Sequence, residues 1–184
     1  MREVRFHGRG GQGAVLATKI LAKALVQEDK FIKAVPFFGF ERRGAPVTSY
    51  LRFDDKEIRQ TTNIYRPDWI VCLDPTLFRT VNIFEGLKKG SVLVQATSKS
   101  IQDFPVPHLI KKVGLCNAYH IGLEIMGRPI TNTIMLGALV KTTGVVSLDA
   151  LCSALEDIRF RDAALQKNRE AVARGYEETK VYSV

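Results

Sequence analysis

Glu3-Val4-Arg5-Phe6-His7-Gly8-Arg9-Gly10-Gly11-Gln12-Gly13-Ala14-Val15-Leu16-Ala17 carries two different periodicities on either side of a run of glycines. Val4 and Phe6 alternate with charged neighbours, the period-two pattern of a strand near Glu3–His7. Ala14–Val26 is rich in Ala, Leu and Ile, with Lys19 and Lys23 four apart on one face. That is the pattern of a half-buried helix. Phe31–Val35 reads as a second short strand, closed by Pro36. Strand, glycine loop, helix and strand together predict the opening of a parallel α/β sheet.

The rhythm breaks at Pro36-Phe37-Phe38-Gly39-Phe40-Glu41-Arg42-Arg43-Gly44-Ala45-Pro46, which reads as a loop. Val47, Ser49, Leu51 and Phe53 then alternate, Asp54-Asp55 suggests a turn, and Lys56–Gln60 would return as the second arm of an antiparallel hairpin. Trp69-Ile70-Val71-Cys72-Leu73 is a continuous apolar run, as a central parallel strand requires. Asp74-Pro75 has the chemistry of a helix start, with Asp74 as the cap. Further strands are expected at Ser91–Gln95 and Lys112–Ala118, and helices at Tyr119–Met126, from Thr131 or Asn132 to Thr143, after Ser147, and over 162–180. The sum is one three-layer α/β domain spanning 1–184. It has a mostly parallel sheet, an added antiparallel hairpin and a helical C-terminal part.

The chain of 184 residues is 46% hydrophobic and 25% charged, enough apolar material for a core. No apolar run reaches a membrane span, and the first residues enter a strand without a signal segment. The sequence is therefore read as cytoplasmic. Cys72, Cys116 and Cys152 are far apart, odd in number and without a CxxC. That argues against a disulfide framework, a zinc finger or a self-contained iron–sulfur site. His7, His108 and His120 form no spaced ligand set, so no metal site is expected. Residues 1–60 hold 12 basic and 7 acidic side chains, a local excess of +5 out of a net +8. An anionic partner follows from that balance. No nucleic-acid recognition motif accompanies it.

Gly8, Gly10 and Gly13 fit G-x-G-x-x-G between a strand and a helix. Two readings stand side by side. In one, Gly8, Arg9, Gly10, Gly11, Gln12 and Gly13 bind a phosphate at the helix N-terminus, with Arg9 adding charge. In the other, the loop is a tight turn with no ligand. A dinucleotide is disfavoured, because the second strand ends Lys33-Ala34-Val35-Pro36 without the acid that holds a ribose. Phe37, Phe38 and Phe40, beside Glu41, Arg42 and Arg43, form either a core plug or a subunit contact; the contact is preferred. Gly137, in the middle of a helix, suggests close approach of another backbone, within the chain or across a subunit boundary. No nucleophile or acid–base pair stands out, so no catalytic residue is assigned.

Several stretches resemble the gamma subunit of 2-oxoacid:ferredoxin oxidoreductases, in one register over nearly the whole chain. They are Arg5–Gly13, Phe38–Pro46, Pro67–Asp74, Asn132–Leu139 and Asn168 to Gly175-Tyr176-Glu177. Phe40 stands where many members have Ala, and Ala45 where many have Gly. The resemblance implies an oxidative decarboxylation of a 2-oxoacid such as pyruvate, with coenzyme A, to acyl-CoA, CO2 and reduced ferredoxin. It implies alpha, beta and delta partner subunits that carry thiamine diphosphate and the iron–sulfur clusters. The gamma subunit would hold no tight cofactor, be inactive alone, and contribute assembly and the coenzyme A side. A stand-alone nucleotide-binding oxidoreductase domain is the alternative.

Overall fold

The structure is a computed structural model that describes residues 1–36, 43–158, 160 and 162–184. Seven strands form one sheet: β1 (Arg2–Arg9), β2 (Phe31–Pro36), β3 (Pro46–Asp54), β4 (Trp69–Cys72), β5 (Ser91–Ala96), β6 (Ile110–Cys116) and β7 (Lys180–Ser183). Their order is β2-β3-β1-β4-β5-β6-β7. β1, β4, β5 and β6 run parallel at the centre, while β3 pairs antiparallel with β1, and β7 with β6. Five helices follow the chain: α1 (Ala14–Gln27), α2 (Ala118–Met126), α3 (Asn132–Thr143), α4 (Leu148–Glu156) and α5 (Asp162–Glu178).

Val4 and Phe6 of β1 point to one face, with Leu51, Val71, Val94 and Ala96, and all five helices pack into the core on that side. α3 is buried nearly all round because it lies between the sheet and α5. Ser147 caps α4 as its sequence position suggests, its Oγ accepting the Ala150 N–H at 3.1 Å. The opposite face is covered by irregular chain. Ile70, Leu93, Val113 and Leu115 meet Phe104 and Ile110 there, and Phe78 stands edge-on to Phe104 at 5.3 Å. Irregular cover, sheet and helices make the three layers of the expected α/β domain.

Three expectations change, and a fourth is narrowed. The hairpin partner of β3 is β2, not Lys56–Gln60, which forms no strand. β3 buries Leu51, Arg52 and Phe53 and needs a neighbour on each side, whereas 56–60 offers only Ile58 as an apolar residue. β2 consequently runs in the same direction as β1 but with β3 inserted between them. Asp74 does not start a long helix; only a 3-10 turn at Leu77–Arg79 follows. Its carboxylate accepts the backbone N–H and the hydroxyl of Thr76, at 2.8 and 2.6 Å, which closes a local turn instead. The last helix stops at Glu178, and Lys180–Ser183 becomes the edge strand β7. Finally, the backbone that Gly137 meets is this chain's own α5: a Cβ there would lie 2.1 Å from the Val172 carbonyl oxygen.

Candidate functional site

β1 ends at Arg9, and the chain leaves through Gly10–Gly13 into α1 on the β2 side. The next parallel neighbour, β4, lies on the other side of β1. In an open α/β sheet the crevice at such a divergence, beyond the carboxyl ends of the strands, is where a ligand fits. Gly11 and Gly13 take φ values of 94° and 80°, in the left-handed region. Gly13 occupies the N-cap of α1, so no side chain caps the helix and its first N–H groups face outward. A depression of about 500 Å³ opens there, lined by Arg9, Gly10, Gly11, Gly13, Ala14 and the exposed Lys19, among others.

The loop is braced from three directions. Gly10 donates to the Ala45 carbonyl at 2.8 Å, and Gly44 donates to the Gly10 carbonyl at 3.0 Å, extending the β1–β3 pairing. Asn132, the first residue of α3, stands so close to Gly13 that a Cβ there would lie 2.5 Å from its Nδ2. Gln12 accepts the Arg9 backbone N–H on Oε1 at 2.7 Å. Its Nε2 donates to Asp74 Oδ2 at 2.7 Å and to Tyr119 Oη at 3.0 Å.

Asp74 is the hub of these contacts. Besides Gln12 and Thr76, it accepts from Tyr119 Oη at 3.2 Å and pairs with Arg9 Nε at 3.3 Å, and its side chain is only 5% exposed. Burial by itself would raise the pKa of this carboxyl. The bonds from Thr76 and Gln12 and the Arg9 charge outweigh it and hold Asp74 below the usual carboxylate range. Burial, and then the adjacent carboxylate, push the Tyr119 phenol up to about 12, so it remains a donor. Arg9 is accordingly not a free cation. It also donates to the Gly44 carbonyl at 3.2 Å and to Thr76 Oγ1 at 3.1 Å.

The structure thus gathers Gly8–Gly13 with three residues to which residue order alone gives no site role. Asp74 reads there only as a helix cap. Tyr119 carries no local chemical signal and Asn132 reads only as a helix start, although Asp74 and Asn132 both lie in stretches that carry the family resemblance. Of the expected contact residues, Phe37, Phe38, Phe40, Glu41 and Arg42 lie outside the described residues. Arg43 is exposed, with its Cγ 3.9 Å from the position of a Cβ on Gly11.

The topology adds a second argument against a dinucleotide. The strand beside β1 on the α1 side is the antiparallel β3, so β2 does not deliver its end next to the glycine loop. Burial pushes the Cys72 thiol up to about 12 and the Cys116 thiol up to about 11, which makes both poor nucleophiles. Cys152 is half-buried. Among the described residues, no three His, Cys, Asp or Glu side chains cluster to hold a metal ion. No helix among them is long and apolar enough to cross a membrane.

Known proteins agree with this fold over its full length. The family model for pyruvate ferredoxin/flavodoxin oxidoreductase matches residues 3–178. The NADH-dependent phenylglyoxylate dehydrogenase subunit gamma of Aromatoleum evansii is 58% identical over 184 residues, covering 100% of this chain and 97% of that one. The pyruvate/ketoisovalerate oxidoreductases common subunit gamma of Thermococcus kodakarensis is 49% identical, with both chains covered fully. The crystal structure of pyruvate oxidoreductase subunit PORC from Thermotoga maritima superposes with a TM-score of 0.84 at 34% identity, covering 99% of this chain and 98% of that one. The chain belongs to the pyruvate ferredoxin/flavodoxin oxidoreductase family, as a gamma subunit of the 2-oxoacid:ferredoxin oxidoreductase type.

Proposed function

We propose that this subunit forms the coenzyme A side of a cytoplasmic 2-oxoacid oxidoreductase assembled with alpha, beta and delta subunits or their equivalents. One observation carries the reading. The uncapped N-terminus of α1, with Gly11 and Gly13 in left-handed conformations, opens onto a depression bordered by Arg9 and Lys19. Backbone N–H groups at a helix start, backed by basic side chains, suit the phosphates of coenzyme A. Gly8–Gly13 would shape that cradle, and this chain would hold no cofactor tightly. Thiamine diphosphate and the iron–sulfur clusters belong to the partner subunits in this reading, and ferredoxin meets the complex through them.

The stretch Phe37–Pro46 would dock against a partner subunit. It leaves the end of β2, an edge strand whose surroundings already expose Val26 and Phe31 by about half. As to substrate, the greater identity to a phenylglyoxylate dehydrogenase subunit favours an aryl 2-oxoacid over pyruvate.

The test is steady-state kinetics on the assembled enzyme, with phenylglyoxylate, pyruvate and 2-oxoisovalerate compared first. Arg9→Ala should then raise the KM for coenzyme A roughly tenfold, the scale of losing a charge-assisted contact. An unchanged KM, or micromolar NAD binding at this subunit by calorimetry, would count against the reading.

A further inference from the structure

The Gln12 side chain can face only one way. Its Oε1 accepts the Arg9 backbone N–H, closing the loop on itself, so its Nε2 must point to Asp74 and Tyr119. Turning the amide over would set N–H against N–H at Arg9 and oxygen against carboxylate at Asp74. The polarity of the network therefore runs in a single direction, from the loop to Asp74. Arg9 Nε and Tyr119 Oη converge on the same Asp74 oxygen, while Thr76 takes the other. A donor left without its acceptor in so enclosed a place has no cheap alternative partner.

We propose that Asp74 is the positioning residue of the coenzyme A step, holding Arg9–Gly13 from behind in the shape that meets the ligand's phosphates. This rests on the reading that the glycine loop receives coenzyme A. Asp74, nearly enclosed, acts through Gln12 and Arg9 without touching the ligand. Tyr119 extends the same brace to the first turn of α2.

The experiment uses the assembled oxidoreductase and reads the KM for coenzyme A separately from kcat. Asp74→Asn keeps an oxygen for Thr76 but presents an amide N–H to the Gln12 amide. The KM for coenzyme A should rise about tenfold, with kcat at saturating coenzyme A within about twofold and the KM for the 2-oxoacid unmoved. Gln12→Glu sets carboxylate against carboxylate and should do the same. Combining Gln12→Glu with Asp74→Asn reverses the polarity of the pair. One oxygen of the carboxylate introduced at position 12 would still accept the Arg9 N–H, and the other would accept from the amide introduced at position 74. Arg9 Nε and Tyr119 Oη still face that introduced amide, so the double variant should regain only part of the loss, its KM lying below the combined effect of the two single changes. A double variant as impaired as the sum of the two single ones overturns the proposal.

Gly13→Ala, which distorts the loop without entering the network, separates the two claims. If it raises the KM for coenzyme A and Asp74→Asn does not, the positioning role falls and the coenzyme A reading stands. If none of these variants moves that KM, the coenzyme A reading itself falls, and the role with it. Should Asp74→Asn fail to assemble, Gln12→Glu and the milder Tyr119→Phe carry the test. An unchanged KM in both, with Gly13→Ala raising it, overturns the role.

Discussion

Arg5, His7 and Arg9 all leave β1 on the face away from the helices, yet each meets a different fate. Arg9 is drawn to Asp74. Arg5 is buried and donates to the carbonyls of Ile83 and Glu85, at 2.9 and 2.7 Å, pinning the irregular cover to the sheet. His7 accepts from Arg5 Nε at 3.0 Å. Burial, with the Arg5 charge adding to it, lowers the His7 pKa to about 3. A buried histidine kept neutral has a definite consequence for pH. Between about pH 6.5 and 3 the unfolded chain binds a proton there that the folded chain refuses. The contribution is full above about pH 6.5 and is lost as the pH falls below it, at up to ~1.4 kcal/mol per pH unit. Urea midpoints measured from pH 7.5 down to 4.5 should fall more steeply for the wild type than for His7→Gln, which keeps a neutral acceptor. Parallel curves would show that His7 is not held neutral. The loop glycines also differ at this scale. A Cβ on Gly8 would meet its neighbours at ordinary distances of 3.4–3.5 Å, whereas one on Gly13 would be strained and would strike Asn132.

At the scale of elements, the crossing of α3 and α5 decides how the helical part is built. A Cβ on Gly137 would lie 2.1 Å from the Val172 carbonyl oxygen and 2.8 Å from the Tyr176 nitrogen. One on Gly175 would lie 2.0 Å from the Ile134 carbonyl oxygen. The two glycines let the helix backbones touch, and α3 becomes a central helix that meets solvent only in its last turn, at Lys141 and Thr143. Alanine at either position gains about 1 kcal/mol in helix propensity but forces the helices apart. Gly137→Ala and Gly175→Ala should each lose about 1–3 kcal/mol net in urea unfolding, as overpacked cores do. A neutral or stabilised variant would mean that the pair separates freely. α3 also carries Asn132, so loosening this crossing should reach the glycine loop through Gly13.

Across the whole molecule the net charge is +8, and Val26 and Phe31 stand about half exposed beside the β2 edge, where the proposed partner contact would begin. Phe38→Ser combined with Phe40→Ser should weaken association with the partner subunits, seen as dissociation on size-exclusion chromatography at micromolar concentration. The melting temperature of this subunit should shift by no more than a few degrees. Outright unfolding would place the rings in the core and return the segment to its plainer role.

The β1–glycine–α1 passage, the apolar run of β4 and the helix starts at Asn132 and Ser147 are legible from residue order alone. Each is set by local periodicity and capping, which depend on neighbours within a few positions. The resemblance is legible too, because its motifs keep one register over the chain. What residue order does not show is partnership between distant segments. β3 inserts between β2 and β1 because its buried face needs two neighbours, a demand that the polar stretch after Asp55 does not meet. Lys180–Ser183 is a strand only because β6 has a free edge beside it. Asp74 reads locally as a cap and becomes a hub because the sheet sets β4 next to β1. That brings Arg9 and Gln12 from one strand end, and Tyr119 from beyond β6, onto a single carboxylate.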